Sequence, residues 1–219
     1  MTAVIFDLDG TLIDSAPDIQ FAVNAMLADA GHSPLDLKTV TSFIGNGVPT
    51  LVQRVMDHLS IQSEHHTDLM AAMMHHYTAS KNTHTKFYPE VKPLLHALKS
   101  QGIRLGICTN KPYAPAYDVL KHFGILTLFD TIIGGDSLPT RKPDPAMLLT
   151  AAANLDDPNT LYVGDSEVDF HTAQNANLPF ALFTGGYRKN PIEYFTDCAQ
   201  FDHFSQLPKI ISSFSKYPG

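Results

Sequence analysis

Hydrophobic and polar positions change rhythm twice along the chain. The first apolar run, Ala3-Val4-Ile5-Phe6, is continuous and stops at Asp7, which reads as a buried parallel strand delivering a carboxylate at its C-terminal edge. From 15 to 83 the rhythm is helical. Ser15-Ala16-Pro17-Asp18 is a helix start in which Ser15 can cap, Pro17 is tolerated and Asp18 opposes the dipole. Ile19, Ala22, Val23, Met26, Leu27 and Ala30 then recur at helical spacing until Gly31. Helices are also expected over 35–43, 48–59 and 64–80, without a convincing strand among them. From Pro89 the texture becomes strand and helix in alternation. Val91, Leu94, Leu95 and Leu98 mark a helix ended by Gly102. Strands follow at 103–108, 131–133, 161–163 and 180–183, with helices over 114–123, 144–154, 168–176 and 207–214.

Repeated strand-helix units imply a parallel sheet with right-handed crossovers. The expected fold class is α/β: a parallel-sheet core from 1–14 and 84–219, interrupted by an all-helical insert over 15–83. At 219 residues and 44% hydrophobic, the chain can bury a core of that size. Cys108 and Cys198 lie outside any metal or redox spacing and are expected as reduced thiols. The net charge of −7, without a Lys/Arg run, argues against a nucleic-acid partner. No stretch has the length of a membrane span or the order of a signal peptide, so a cytoplasmic protein, monomer or homodimer, is expected.

Charge and hydroxyl groups gather just beyond the predicted strands. In an extended backbone Asp7 and Asp9 point to the same side, and two carboxylates this close suit a divalent cation and a division of labour between nucleophile and general acid/base. Gly10 lets the chain turn there, and the Thr11 hydroxyl can brace the turn. Thr109-Asn110-Lys111 places a hydroxyl, a carboxamide and an ammonium in succession, able to hold phosphoryl oxygens or, equally, to cap the next helix. Lys142 stands in Arg141-Lys142-Pro143-Asp144-Pro145, where two prolines restrict the backbone around its ammonium. Gly164-Asp165-Ser166-Glu167-Val168-Asp169 puts two acids four residues apart at a strand-to-helix junction, where helix electrostatics alone would explain one.

Taken together, Asp7-Leu8-Asp9-Gly10-Thr11, Thr109, Lys142 and Gly164-Asp165 through Asp169 resemble the four motifs of the haloacid dehalogenase superfamily of phosphohydrolases, over nearly the whole chain. Within it, the segments around these motifs look most like bacterial phosphoglycolate phosphatases. The resemblance implies a Rossmann-like core, a mobile helical cap at 15–83 and a Mg²⁺-dependent phosphatase for a small phosphorylated metabolite, 2-phosphoglycolate first. It implies that Asp7 attacks phosphorus and that Asp9 serves as acid and base. Thr109 and Lys142 would stabilise the transferring group, and Thr11, Asn110 and the cap loop Gly45-Asn46-Gly47 would face substrate. Asp7, Asp9 (through its carbonyl), Asp165 and Asp169 would form the metal site. A phosphosugar mutase shares the motifs, and a receiver-type module shares the acids, the hydroxyl and the lysine; the second acid favours phosphoryl transfer over dehalogenation.

His58, His65, His66, His75 and His76 lack a metal-binding pattern and read as solvated helix faces, while Met70, Met73 and Met74 read as packing. Glu90, where a glycine usually follows the proline, and the pair Glu167-Val168 depart from the phosphoglycolate phosphatase pattern.

Overall fold

The computed structural model describes residues 3–157 and 159–214. Strand β1 (Ala3–Phe6) lies in the middle of a six-stranded sheet of order β5-β4-β1-β6-β7-β8, every neighbouring pair parallel. The other strands are β4 (Arg104–Cys108), β5 (Thr131–Ile133), β6 (Thr160–Gly164), β7 (Phe180–Phe183) and β8 (Ala199–Phe201). Alternation along β1 sends Val4 and Phe6 to one face and Ala3 and Ile5 to the other, and both faces are buried. Helices α5 (Val91–Ser100), α6 (Tyr113–His122) and α9 (Leu207–Phe214) cover the first face; α7 (Ala146–Asn154) and α8 (Glu167–Ala176) cover the second. The chain runs outward from β1 through β4 and β5, then returns to β6 on the other side. The carboxyl ends flanking β1 are therefore the switch point at which such sheets place ligands.

Between β1 and α5 the chain leaves the sheet to build α1 (Ala16–Asp29), α2 (Leu37–Phe43), α3 (Val48–Leu59) and α4 (His66–Ala79). These helices enclose a hydrophobic cluster of their own, which includes Val23, Met26, Val52, Met56 and Met73. The two crossings between insert and sheet are tied together. Strands β2 (Ile13–Asp14) and β3 (Lys86–Phe87) form a short antiparallel ribbon, and buried Asp18 accepts from the backbone amides of His84 and Thr85 and from the Thr85 hydroxyl. Asp18 thus does more than oppose a dipole. Neither the ribbon nor edge strand β8 was expected from the pattern: two or three residues are too few to establish a period.

Ser15 also departs from expectation. It sits in helical geometry (φ −102, ψ −3) without capping, and its Oγ donates to Asp9 Oδ1 at 2.6 Å. The open N-terminus of α1 is served from the core, since the Tyr187 hydroxyl accepts from the amides of Ser15 (2.9 Å) and Ala16 (3.0 Å).

Candidate active site

β1 ends where its ladder makes one more bond, Asp7 N–H to the Val163 carbonyl at 2.8 Å, and the Asp7 carboxylate emerges just beyond. Lys142 Nζ lies 3.0 Å from Asp7 Oδ1, close enough to pair but outside hydrogen-bonding geometry, so that buried oxygen has no hydrogen-bond donor among the described residues. Burial pushes the Asp7 carboxyl up to about 6, against the pull of Lys142 and with added repulsion from Asp169.

The ammonium of Lys142 is held from three directions. Besides Asp7 it reaches Asp169 Oδ1 at 2.6 Å and the Tyr162 hydroxyl at 2.9 Å, while Tyr162 donates onward to Asp169 Oδ1 (2.7 Å) and the Cys108 carbonyl (3.1 Å). Burial alone would lower its pKa, but Asp169 and Asp7 outweigh that and keep it strongly raised. Its backbone is held by Asn110, whose Oδ1 accepts from the Lys142 amide and whose Nδ2 donates to the carbonyls of Lys142 and of Gly45. Asn110 was expected to face substrate; it lines the cavity beside Thr109, and its side-chain amide clasps the lysine loop to the insert.

Asp165 and Asp169 do different work. Asp165 Oδ1 accepts from the Thr11 hydroxyl at 2.8 Å and Oδ2 from the Tyr187 amide at 2.6 Å; burial, then repulsion from Asp169 and Asp7, pushes its pKa well up. Thr11 is fully buried behind this carboxylate, so it braces an acid instead of facing substrate. Asp169 Oδ2 accepts from the amides of Asp165 and Ser166 and from the Ser166 hydroxyl, closing a capping box on α8. With Oδ1 already taken, both its oxygens are occupied by protein donors. Burial raises its pKa, but Lys142 and the hydrogen bonds from Ser166 and Tyr162 together outweigh this and lower it. Asp169 was expected among the metal ligands; it supports Lys142 and the Asp165 backbone and also belongs to the group of acids that could hold a metal ion.

Carboxylate oxygens of Asp7, Asp165 and Asp169 fall within 4.8 Å of one another, all buried. One lysine cannot balance three such acids, and the bare Asp7 Oδ1 and the upward shifts of Asp7 and Asp165 mark a place that fits a hard divalent cation. Asp7, Asp9 and Asp165 line a hollow of about 20 Å³, ion-sized, beside Ser166 and Val168. The approach here is so close that a side chain at Gly186 would strike Asp165 and the Gly10 carbonyl, which explains glycine there.

A larger cavity, about 60 Å³, opens on the other side of Asp7 and Asp9, between the sheet edge and the insert. Thr109 lines it, its Oγ accepting weakly from the Lys111 amide at 3.3 Å with the hydroxyl proton free to donate. Gly45 and Gly47 line it from above. Asn46 does not: its Oδ1 accepts from Arg54 at 2.8 Å, within the insert. Asp9 pairs with Lys111 Nζ at 2.9 and 3.0 Å, and Lys111 Nζ also bonds the Tyr77 hydroxyl.

Sequence reasoning did not single out Tyr77, Tyr162 or Tyr187. Tyr187 carried a signal, because Gly185-Gly186-Tyr187 follows the apolar run of β7 just as the other sites follow theirs. Tyr77 and Tyr162 lie within regular elements and carry none. The histidines of the insert are exposed or half-buried, and His76 Nε2 lies 2.6 Å from Asp29.

A family model described as haloacid dehalogenase-like hydrolase matches residues 4–183. The chain is 49% identical over 216 residues to a phosphoglycolate phosphatase of Cereibacter sphaeroides (strain ATCC 17025 / ATH 2.4.3), covering 96% of this chain and 98% of that protein. It is 43% identical over 215 residues to the phosphoglycolate phosphatase of Rhodobacter capsulatus, covering 97% and 98%. Among solved structures, a predicted phosphoglycolate phosphatase from Haemophilus somnus 129PT superposes with a TM-score of 0.90 at 32% identity, covering 96% of this chain and 97% of that one. With its family model matched from the first strand to β7 and its acids, hydroxyl and lysine gathered at one sheet edge, the chain belongs to the haloacid dehalogenase-like hydrolases.

Proposed function

We propose that this protein is a Mg²⁺-dependent phosphatase that hydrolyses 2-phosphoglycolate to glycolate and phosphate, with the helical insert, 15–83, acting as its cap. The observation that carries this reading is the meeting of Asp7, Asp9, Thr109, Lys142 and Asp165, from four separate segments, at one sheet edge: Asp7 and Asp9 line both hollows, Thr109 the larger and Asp165 the smaller, and Lys142 pairs with Asp7. Names of close relatives support the substrate.

Unassisted hydrolysis of phosphate monoesters is slow enough to need accelerations up to about 10²¹-fold. In the proposed sequence an Asp7 carboxylate oxygen bonds phosphorus as the ester oxygen departs, and Asp9 gives that oxygen its proton. Asp9 then takes a proton from the water that attacks the aspartyl phosphate, freeing phosphate and Asp7. Thr109 donates to the transferring group and Lys142 sets its charge against it. Asp7, Asp165 and the Asp9 backbone carbonyl would hold Mg²⁺, which supplies the charge that offsets repulsion between a carboxylate and a dianionic ester. The cap excludes water during transfer.

Phosphate release from 2-phosphoglycolate, measured with and without Mg²⁺ over time, tests the reading. Many turnovers with free phosphate and glycolate as products are expected. Retention of organic phosphate from a hexose 1-phosphate would point to a mutase, and a single stoichiometric phosphorylation without release to a receiver module.

A further inference from the structure

Lys111 and Tyr77 raise a question that the chemistry at phosphorus does not answer. The Lys111 side chain is 3% exposed, yet the residue lines the cavity, and its ammonium is bonded to Asp9 and Tyr77, which line it as well. The rest of that wall toward the cap is apolar: Ile19, Ile44, Val48, Leu51 and Met73. Lys111 therefore places a single positive charge in a greasy chamber, at bonding distance from the carboxylate assigned to protonate the leaving oxygen.

Balancing Asp9 is the simplest reason for a lysine there, but the tyrosine beside it argues for more. Lys142 and Tyr162 provide an internal comparison. There the phenol accepts from the ammonium and spends its own proton on Asp169 and the Cys108 carbonyl. At the cavity the Tyr77 phenol likewise accepts from Lys111, but its proton has no acceptor among the described residues. Tyr77 is only 7% exposed, and a buried hydroxyl proton without a partner costs free energy unless something in the cavity accepts it. Fixed to cap helix α4, it points to an acceptor that arrives with the ligand.

We propose that Lys111 and Tyr77 together form the specificity site for a carboxylate on the leaving group, held one carbon from the ester oxygen that Asp9 protonates. This rests on the phosphatase reading and deepens it. Because both oxygens of Asp9 lie within 3.0 Å of Lys111 Nζ, the ester oxygen and a second anionic oxygen must sit close together, as they do in a 2-phosphooxy acid with a short chain. A longer chain meets the apolar wall. A neutral ester of the same size brings no anionic oxygen to the phenolic proton and no second anion to the charge of Lys111, whose ammonium keeps its bonds to Asp9 and Tyr77.

Comparing 2-phosphoglycolate with 2-hydroxyethyl phosphate, matched in size but lacking the carboxylate, tests the assignment. The wild type is expected to favour the acid by at least about 100-fold in kcat/KM, since a site built around hydrogen-bonding groups rejects a ligand that lacks their partner. Lys111→Met should collapse that ratio to within about threefold of unity, chiefly through KM for the acid. Any loss that acts through Asp9 affects both esters and cancels in the ratio. Tyr77→Phe, which removes one hydroxyl and keeps the ring, should lower the ratio about tenfold and decides the matter if the Lys111 variant fails to fold. A ratio unchanged in the folded variants, or a wild type indifferent to the carboxylate, overturns the proposal while the phosphatase reading stands. Phosphate release from neither ester, nor from any other small phosphoester, overturns both.

Discussion

Asp7 carries two burdens at once, as the proposed nucleophile and as an acid buried beside other acids. Replacing it with Asn removes the attacking oxygen and should reduce turnover at least about 10⁴-fold, by analogy with the removal of other covalent nucleophiles. The same change removes a buried charge that folding disfavours, so the Tm of the metal-free variant should not fall below that of wild type. A variant that keeps a tenth of the wild-type rate in a phosphate-release assay would exclude the role. Lys142→Met is expected to behave in the opposite way. It leaves Asp7 and Asp169 without their buried partner and should cost about 3–5 kcal/mol of stability, read by urea denaturation.

Among the elements, α1 depends on a residue far along the chain. The Tyr187 hydroxyl accepts two of its leading amides and donates to Asp14 at 2.7 Å, and its own backbone amide holds Asp165. Glu167 anchors the same loop through the amides of Lys189 and Asn190, which gives one of the two departures in the fourth motif a structural reason. Its neighbour Val168 faces the cap loop at Gly45. Tyr187→Phe should lower stability by about 1–2 kcal/mol, a Tm fall of about 2–8 °C by scanning calorimetry, since it leaves the Ser15 amide without its acceptor and the Ala16 amide with only Asp14 Oδ1 at 3.3 Å. The departure outside that motif, Glu90, precedes α5 with φ +68, a left-handed conformation that costs a side chain about 1–2 kcal/mol. Its carboxylate recovers part of this by accepting from the Ser205 amide at 3.0 Å. Glu90→Gly relieves the backbone, loses that bond and frees the unfolded chain, so stability is expected to move by less than about 1 kcal/mol. A larger change in the urea midpoint would contradict the balance.

For the whole molecule, the carboxylates link stability, pH and metal. Asp7 is raised from 3.8 to about 6 and Asp165 is raised as well, so each contributes stability below its unfolded value that is lost as pH climbs through the folded one. For Asp7 this is on the order of 3 kcal/mol, lost between about pH 4 and pH 6. Asp169 is lowered, so its contribution is complete above 3.8 and does not change over that span. Metal-free protein should therefore lose stability through these acids between pH 5 and 7.5. In the proposed site Mg²⁺ would compete with protons, so its effect should be larger at the higher pH. At about 100 times its dissociation constant the ion should raise Tm by about 5–10 °C at pH 7.5 and by clearly less at pH 5, measured by calorimetry. An equal or greater rise at pH 5 would dissociate the ion from these acids.

Residue order alone determined the kind of fold and pointed to the chemistry proposed at phosphorus. Continuous apolar runs ending in acids, a hydroxyl or a glycine turn reveal parallel strands and what their ends present, because strand period and turn chemistry are local properties. Asp7, Asp9, Thr109, Lys142 and Asp165 were legible for that reason. What a side chain touches is not local. That Ser15 bonds Asp9 instead of capping, that Thr11 and Asp169 brace other site residues, and that Asn110 clasps the cap loop all depend on neighbours 6 to 154 positions away. Tyr77, which meets Lys111 only when α4 closes over the sheet, could be found in no other way. Tertiary packing alone decided which polar groups are satisfied by the protein and which are left facing the cavity, since that balance exists only once distant segments have excluded water from between them.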